Sequence, residues 1–237
     1  MSRKRPRDLS RDKRKKRDKP IFSIAFLIAI PANFALSVVS LITLVTILSA
    51  TTINTETWAV FATGVVGALA VIGGSSIQKL RILIHETKHA IVVLLSGNSL
   101  KNFVVGNKTG HVEYEMYKDT VHFAPIIALA PYFFPLLSLP MLILCIAFEG
   151  QQNHFLALGL GLTFATDLST AYTDLHPHQT DLHKISGGAI TALLYLAGVH
   201  FLWTMVCLLW IAGGRNAYAH LFYTIASFAG NIASQIS

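Results

Sequence analysis

Residues 77–97 read IQKLRILIHETKHAIVVLLSG. Ile82-Leu83-Ile84 and Ala90-Ile91-Val92-Val93 flank a polar block, His85-Glu86-Thr87-Lys88-His89. No Gly or Pro interrupts the stretch before Gly97, so it reads as one helix. Positions four apart lie on one face of a helix, which puts His85 and His89 side by side. Ionisable side chains inside an apolar run are costly and mark a function by default. This H-E-x-x-H spacing lets two neutral imidazoles share one zinc, with Glu86 placed to act on a metal-bound water. The metal lowers the pKa of that water to about 7 and Glu86 accepts its proton. The alternative is a polar face that pairs with another helix or lines a pore.

The surroundings of this helix are those of a membrane protein. Of 237 residues, 53% are hydrophobic and 13% charged, with a mean hydropathy of +0.54. That excludes a disordered chain, a fibrous protein and an ordinary water-soluble globule. The charge is concentrated at one end. Residues 1–20 hold 11 Lys/Arg against 3 Asp, and the other 217 hold 8 Lys/Arg against 9 Asp/Glu. The tail has no apolar periodicity, so it is expected to be disordered. It reads as a positive-inside signal lying against anionic headgroups, which puts the N-terminus in the cytoplasm. Nucleic-acid binding is the sharper alternative and is not expected. A cleaved signal peptide does not fit, because the apolar stretch after the tail far exceeds the usual 7–15 residues.

Residues 21–237 are expected to form a single membrane-embedded domain. A bilayer core needs about 20 apolar residues per helix. Candidate spans are 21–49 (bent or started at Pro31), 57–76, 77–96, 123–148, 153–173 and 187–212. The stretch 217–236 either spans or lies at the interface. The fold class is therefore an all-α polytopic membrane protein with five to seven transmembrane helices. Gly64, Gly67, Gly73 and Gly74 allow close helix approach. Cys145 and Cys207 lie in apolar runs and read as buried packing residues. One stretch breaks the helical pattern. Residues 97–121 carry Gly and Asn turn signals, and residues 111–117 alternate as a strand does. A small β-hairpin at the membrane edge is expected, with Gly106-Asn107-Lys108-Thr109-Gly110 as its turn.

Two histidines leave a catalytic zinc one protein ligand short. After Glu149 the only acids are Asp167, Asp174 and Asp181, spaced by seven. Asp167 and Asp174 share a helix face. Pro177 disfavours helix at His176, and Thr180-Asp181 reads as the start of another helix. His154, His176, His178 and His183 read as solvated rather than as ligands. Lys88 either approaches the metal face or snorkels toward water. Lys79 and Arg81 place the start of their helix near the cytoplasmic boundary.

These elements resemble the site-2 protease family of intramembrane zinc metalloproteases. His85, Glu86 and His89 match its H-E-x-x-H, and Ala90 continues the common form. Gly97-Asn98 and residues 101–117 resemble the short sheet that comes next in that family. Leu129-Ala130-Pro131 resembles an L-A-G-P element. Asp174-Leu175-His176-Pro177 followed by Asp181 resembles the later N-x-x-P-x-x-x-x-D-G module, with Asp181 in the place of the zinc-binding aspartate. Asp174 stands where Asn is usual, Leu182 replaces the Gly, and one spacing residue is missing. The resemblance covers roughly residues 57–212. It implies a zinc site of His85, His89 and Asp181, with Asp174 as the alternative third ligand and Glu86 as the catalytic base.

The expected function is an intramembrane zinc endopeptidase that hydrolyses a transmembrane protein or peptide substrate. Such a helix must unwind before it is cut, and the hairpin offers β-augmentation to the unwound strand. The alternative is a non-proteolytic metal-binding membrane protein, either a divalent-cation carrier or an inactive scaffold. A carrier usually shows repeats with paired broken helices, and none is visible. The compactness of the chain points to a bacterial inner membrane.

Overall fold

The computed structural model describes residues 23–51, 53–72, 77–107, 109–148, 154–176, 179–183, 185 and 187–236. The basic tail, Gly73, Gly74, Pro177 and His178 lie outside these residues, and so do the expectations placed on them.

The chain is mostly helical. Helix α1 is Ile24–Ala50, α2 Thr55–Ile72 and α3 Gln78–Leu95. Strands β1 (Ser99–Val105) and β2 (Gly110–Glu115) come after it, then a 3-10 turn at Lys118–Phe123. Next are α4 (Ala124–Phe133), α5 (Ser138–Ala147), α6 (His154–Asp174), the one-turn α7 (Thr180–His183) and α8 (Gly188–Ile236). Ser23 caps α1 by accepting a hydrogen bond from the Phe26 amide at 3.3 Å. The helix then runs through Pro31 instead of starting there.

Among the described residues three helices are long and apolar enough to cross a membrane: Ile24–Ala50, Thr55–Ile72 and Gly188–Asn231. This fits an integral membrane protein. A fourth span is added if Lys118–Phe133 and Ser138–Ala147 are taken together, although they meet at a 78° bend. This is fewer than the five to seven spans expected. The apolar run at 123–148 is broken because Pro135 holds Phe134 in an extended conformation (φ −69°, ψ 122°). At 1.5 Å per residue, ten-residue helices such as α4 and α5 reach only about 15 Å, half the hydrocarbon thickness. Helix α3 carries Lys79, Arg81, Glu86 and Lys88, too many charges for an ordinary span. The segments expected at 187–212 and 217–236 join into α8, whose backbone departs from helix at Gly213 and Gly214. Gly214 takes φ 59°, which a side chain resists.

Packing is set by the small residues. Helix α2 lies on α6, and a Cβ on Gly64 would run into the Leu158 carbonyl oxygen. One on Gly161 would run into that of Phe61. The two glycines thus allow backbone-to-backbone approach. Gly67 faces only the Leu162 side chain, at 3.7 Å. Cys145 and Cys207 are free thiols buried in one apolar cluster with Phe61, Leu160 and Ile211. A second cluster joins Phe26, Leu129, Tyr132, Leu182, Ile185 and Tyr195, and so holds α1, α4, α7 and α8 together.

The hairpin forms as expected. β1 and β2 are antiparallel, with Val105 opposite Gly110 and a bulge between Leu100 and Asn102. The Gly106 amide donates to the Thr109 carbonyl at 2.9 Å to close the turn. Asn98 ties the hairpin base to the 3-10 turn: its side-chain oxygen accepts from the Tyr117 amide at 3.1 Å and from the Thr120 hydroxyl at 2.5 Å.

Gly161→Ala is expected to lower the thermal unfolding midpoint in detergent, at an overpacking cost of about 1–3 kcal/mol. Gly67→Ala, which meets only an ordinary contact, is expected to leave it unchanged or raise it.

Candidate metal centre

Helix α3 and helix α6 run antiparallel and are joined by two ion pairs a heptad apart. Arg81 Nη2 lies 2.8 Å from Asp174 Oδ1, and Lys88 Nζ lies 3.2 Å from Asp167 Oδ1. Lys88 is 1% exposed, so it neither faces the metal position nor snorkels to water, the two roles its place in the sequence suggests. It points at α6 instead. The other oxygen of Asp167 accepts three hydrogen bonds: from the Leu137 amide at 2.9 Å, and from the Ser138 amide and hydroxyl, each at 2.8 Å. Trp203 Nε1 donates to the same hydroxyl at 3.0 Å. Asp167 therefore sits at the N-terminus of α5, where free amides and the helix dipole favour a carboxylate. Arg81 is likewise a structural partner of α6.

The two motif histidines are each fixed through Nδ1. His85 Nδ1 lies 3.0 Å from Asp174 Oδ2, and His89 Nδ1 lies 2.9 Å from the Ile127 carbonyl oxygen. Both partners only accept, so in each ring Nδ1 carries the proton, which puts the lone pair on Nε2. This is the arrangement that metal-binding histidines adopt. The ring centroids stand 5.3 Å apart, and Tyr132 packs edge-on to His85 at 5.7 Å.

His85, Glu86 and His89 line one cavity of about 420 Å³. Strand β2 and helix α4 complete its lining, with Val112, Tyr114 and Ile127 among the residues. Asp181, on α7, lines the same cavity. Asp174 is not on that lining. Its carboxylate is engaged by Arg81 and His85. His154 stands 3.3 Å from Glu56 at the opposite end of α6, and His176 and His183 are exposed outside the cavity. Among the described residues no three His, Cys, Asp or Glu side chains converge closely enough to hold a metal ion as they stand. The donor types and the Nδ1 partners of the histidines fit zinc, but Asp181 does not close on them.

Two cavity residues are not singled out by the sequence. Gly110 reads there only as a turn residue, yet a Cβ on it would come within 2.6 Å of Glu86 Cγ and 2.8 Å of Glu86 Oε1. Its bare backbone lets the strand lie against the Glu86 side chain. His111 also lines the cavity, with Nε2 3.7 Å from Glu113 Oε1. No local pattern announces either role, because each depends on how the hairpin folds back over α3. Comparison with family models, curated proteins and solved structures finds no match to the chain.

Lys88→Met strands the Asp167 carboxylate in the interior. Removing one partner of a buried pair costs about 3–5 kcal/mol. The expected result is a large drop in the unfolding midpoint, larger than for Arg81→Met at the partly exposed pair.

Proposed function

We propose that the chain is an intramembrane zinc endopeptidase of site-2 protease type. The observation that carries this reading is the pair of motif histidines. Both are held by Nδ1, His85 on the Asp174 carboxylate and His89 on the Ile127 carbonyl, while Glu86 and Asp181 line the cavity beside them. His85 and His89 would hold the metal, with Asp181 as third ligand. Zinc, when bound, supplies a Lewis acid for the scissile carbonyl and a lowered pKa for the attacking water.

The chain's own groups do the rest. Glu86 takes the proton from the attacking water and returns it to the leaving amide nitrogen. Gly110 leaves room for the Glu86 carboxylate to stay between helix and strand. β2 lines the cavity, so an extended substrate laid along it passes the histidines. An intact transmembrane helix has no free backbone groups to offer that strand, so it is cut only where it has unwound. The apolar lining of Val112, Met116, Ala124 and Ile127 suits a membrane-derived peptide. In this reading the N-terminus is cytoplasmic, with the tail on anionic headgroups, and the host membrane is a bacterial inner membrane.

The test is zinc content of the detergent-purified protein, combined with cleavage of a panel of co-expressed membrane reporters. The wild type and Glu86→Gln are expected to hold about one zinc per chain. His85→Ala and Asp181→Ala are expected to lose it. Reporter cleavage is expected in the wild type and to be absent in Glu86→Gln. Zinc-free wild type in well-folded form contradicts the reading. Zinc retention without any Glu86-dependent cleavage favours a metal carrier or scaffold instead.

A further inference from the structure

Asp174 occupies a place that the metal-site reading leaves without a role. It is the last residue of α6, and it touches three things at once. Its Oδ1 accepts from Arg81 Nη2 at 2.8 Å, and its Oδ2 accepts from His85 Nδ1 at 3.0 Å. Its backbone carbonyl accepts from the Gln179 side-chain amide at 3.2 Å. Gln179 lies two residues before Asp181. One residue thus spans the distance between a motif histidine and the segment that carries the third candidate ligand.

The chemistry of these contacts is directional. A carboxylate behind an imidazole fixes the ring's rotation, holds the proton on Nδ1 and makes Nε2 a stronger donor to a metal. Arg81 holds that carboxylate from the other side and keeps it from swinging toward the cavity. Both carboxylate oxygens are thereby committed, which leaves Asp174 poorly placed to be a ligand itself. An asparagine at this position would offer His85 an acceptor without the charge, and its amide would face the Arg81 guanidinium less favourably.

We infer that Asp174 is a positioning residue for the metal centre: it orients His85 through Nδ1 and ties that histidine to the Gln179–Asp181 segment, with Arg81 as its anchor. This rests on the zinc-site reading of the preceding subsection. It predicts a graded dependence of metal affinity on residues that never touch the metal.

The experiment measures zinc affinity by competition with a chromophoric chelator, using the full chain in detergent. The variants are Asp174→Ala, Asp174→Asn and Arg81→Ala. Asp174→Ala is expected to bind zinc about 10–100-fold more weakly. Asp174→Asn, which keeps the acceptor, is expected to fall between it and the wild type. Arg81→Ala breaks the same ion pair but leaves the His85 contact, so its loss is expected to be no more than about fivefold. Cobalt-loaded Asp174→Ala is expected to show visible bands at the wild-type positions, because the ligands are unchanged. The inference is overturned if Asp174→Ala binds zinc as tightly as the wild type. It is also overturned if Arg81→Ala and Asp174→Ala lose affinity equally, which would make the effect a matter of helix pairing. Shifted cobalt bands would make Asp174 a ligand and overturn it too. A wild type that binds no zinc would instead defeat the underlying site reading, and the two failures are told apart by that control.

Discussion

The Lys88–Asp167 pair is the constraint on which the arrangement of the site depends. Both groups are buried, and an ion taken out of water must be paired and hydrogen-bonded or it is strongly destabilising. Asp167 meets that demand with Lys88, two backbone amides and the Ser138 hydroxyl, so α3, α5 and α6 have one mutual register. The Arg81–Asp174 pair repeats the contact seven residues away in each helix. Together the two rungs fix the rotation of α3. At about 100° per residue, Lys88 lies about 20° to one side of Arg81, while His85, His89 and Glu86 lie about 40°, 80° and 140° to the other. The helix thus turns Arg81 and Lys88 to α6, its histidines to the edge of α6 and α4, and its glutamate to strand β2.

That division of faces explains the partners each residue finds. His85, nearest the charged stripe, takes its acceptor from α6. His89, one turn further round, takes a carbonyl of α4. Glu86 meets β2 at Gly110, where a Cβ would collide with the Glu86 side chain. Asp181 depends on a different support. Helix α7 is a single turn, and it is held by Leu182 and Ile185, which are 2% and 1% exposed in the cluster with Phe26 and Tyr195. A glycine after Asp181, as the resemblance would have it, could not fill that cluster. The leucine makes this short helix part of the core.

Much of this was legible in the sequence, because it is local. The i, i+4 histidines, the 106–110 turn, the alternation of β2 and the helices flanking them all come from spacing within one segment. The even spacing of Asp167 and Asp174 also showed a shared face. It did not show the matching spacing of Arg81 and Lys88, whose meaning appears only when α3 and α6 are laid antiparallel. Lys88 beside a motif histidine invites a metal-related or snorkelling role, and only the fold reveals its partner 79 residues away. The count of membrane spans was overestimated for a related reason. Hydrophobic length counts residues, whereas Pro135 and the charged stripe of α3 decide whether those residues form one long apolar helix.

The most direct test of the proposed metal centre is X-ray absorption at the zinc edge of the 237-residue protein after incubation with zinc, in the wild type and in His89→Ala. The account predicts a low-coordinate shell containing two imidazole nitrogens at about 2.0–2.1 Å and oxygen at about 2.0–2.2 Å in the wild type, and loss of that bound zinc in the variant. A shell of oxygen alone, or one unchanged by the substitution, would contradict it.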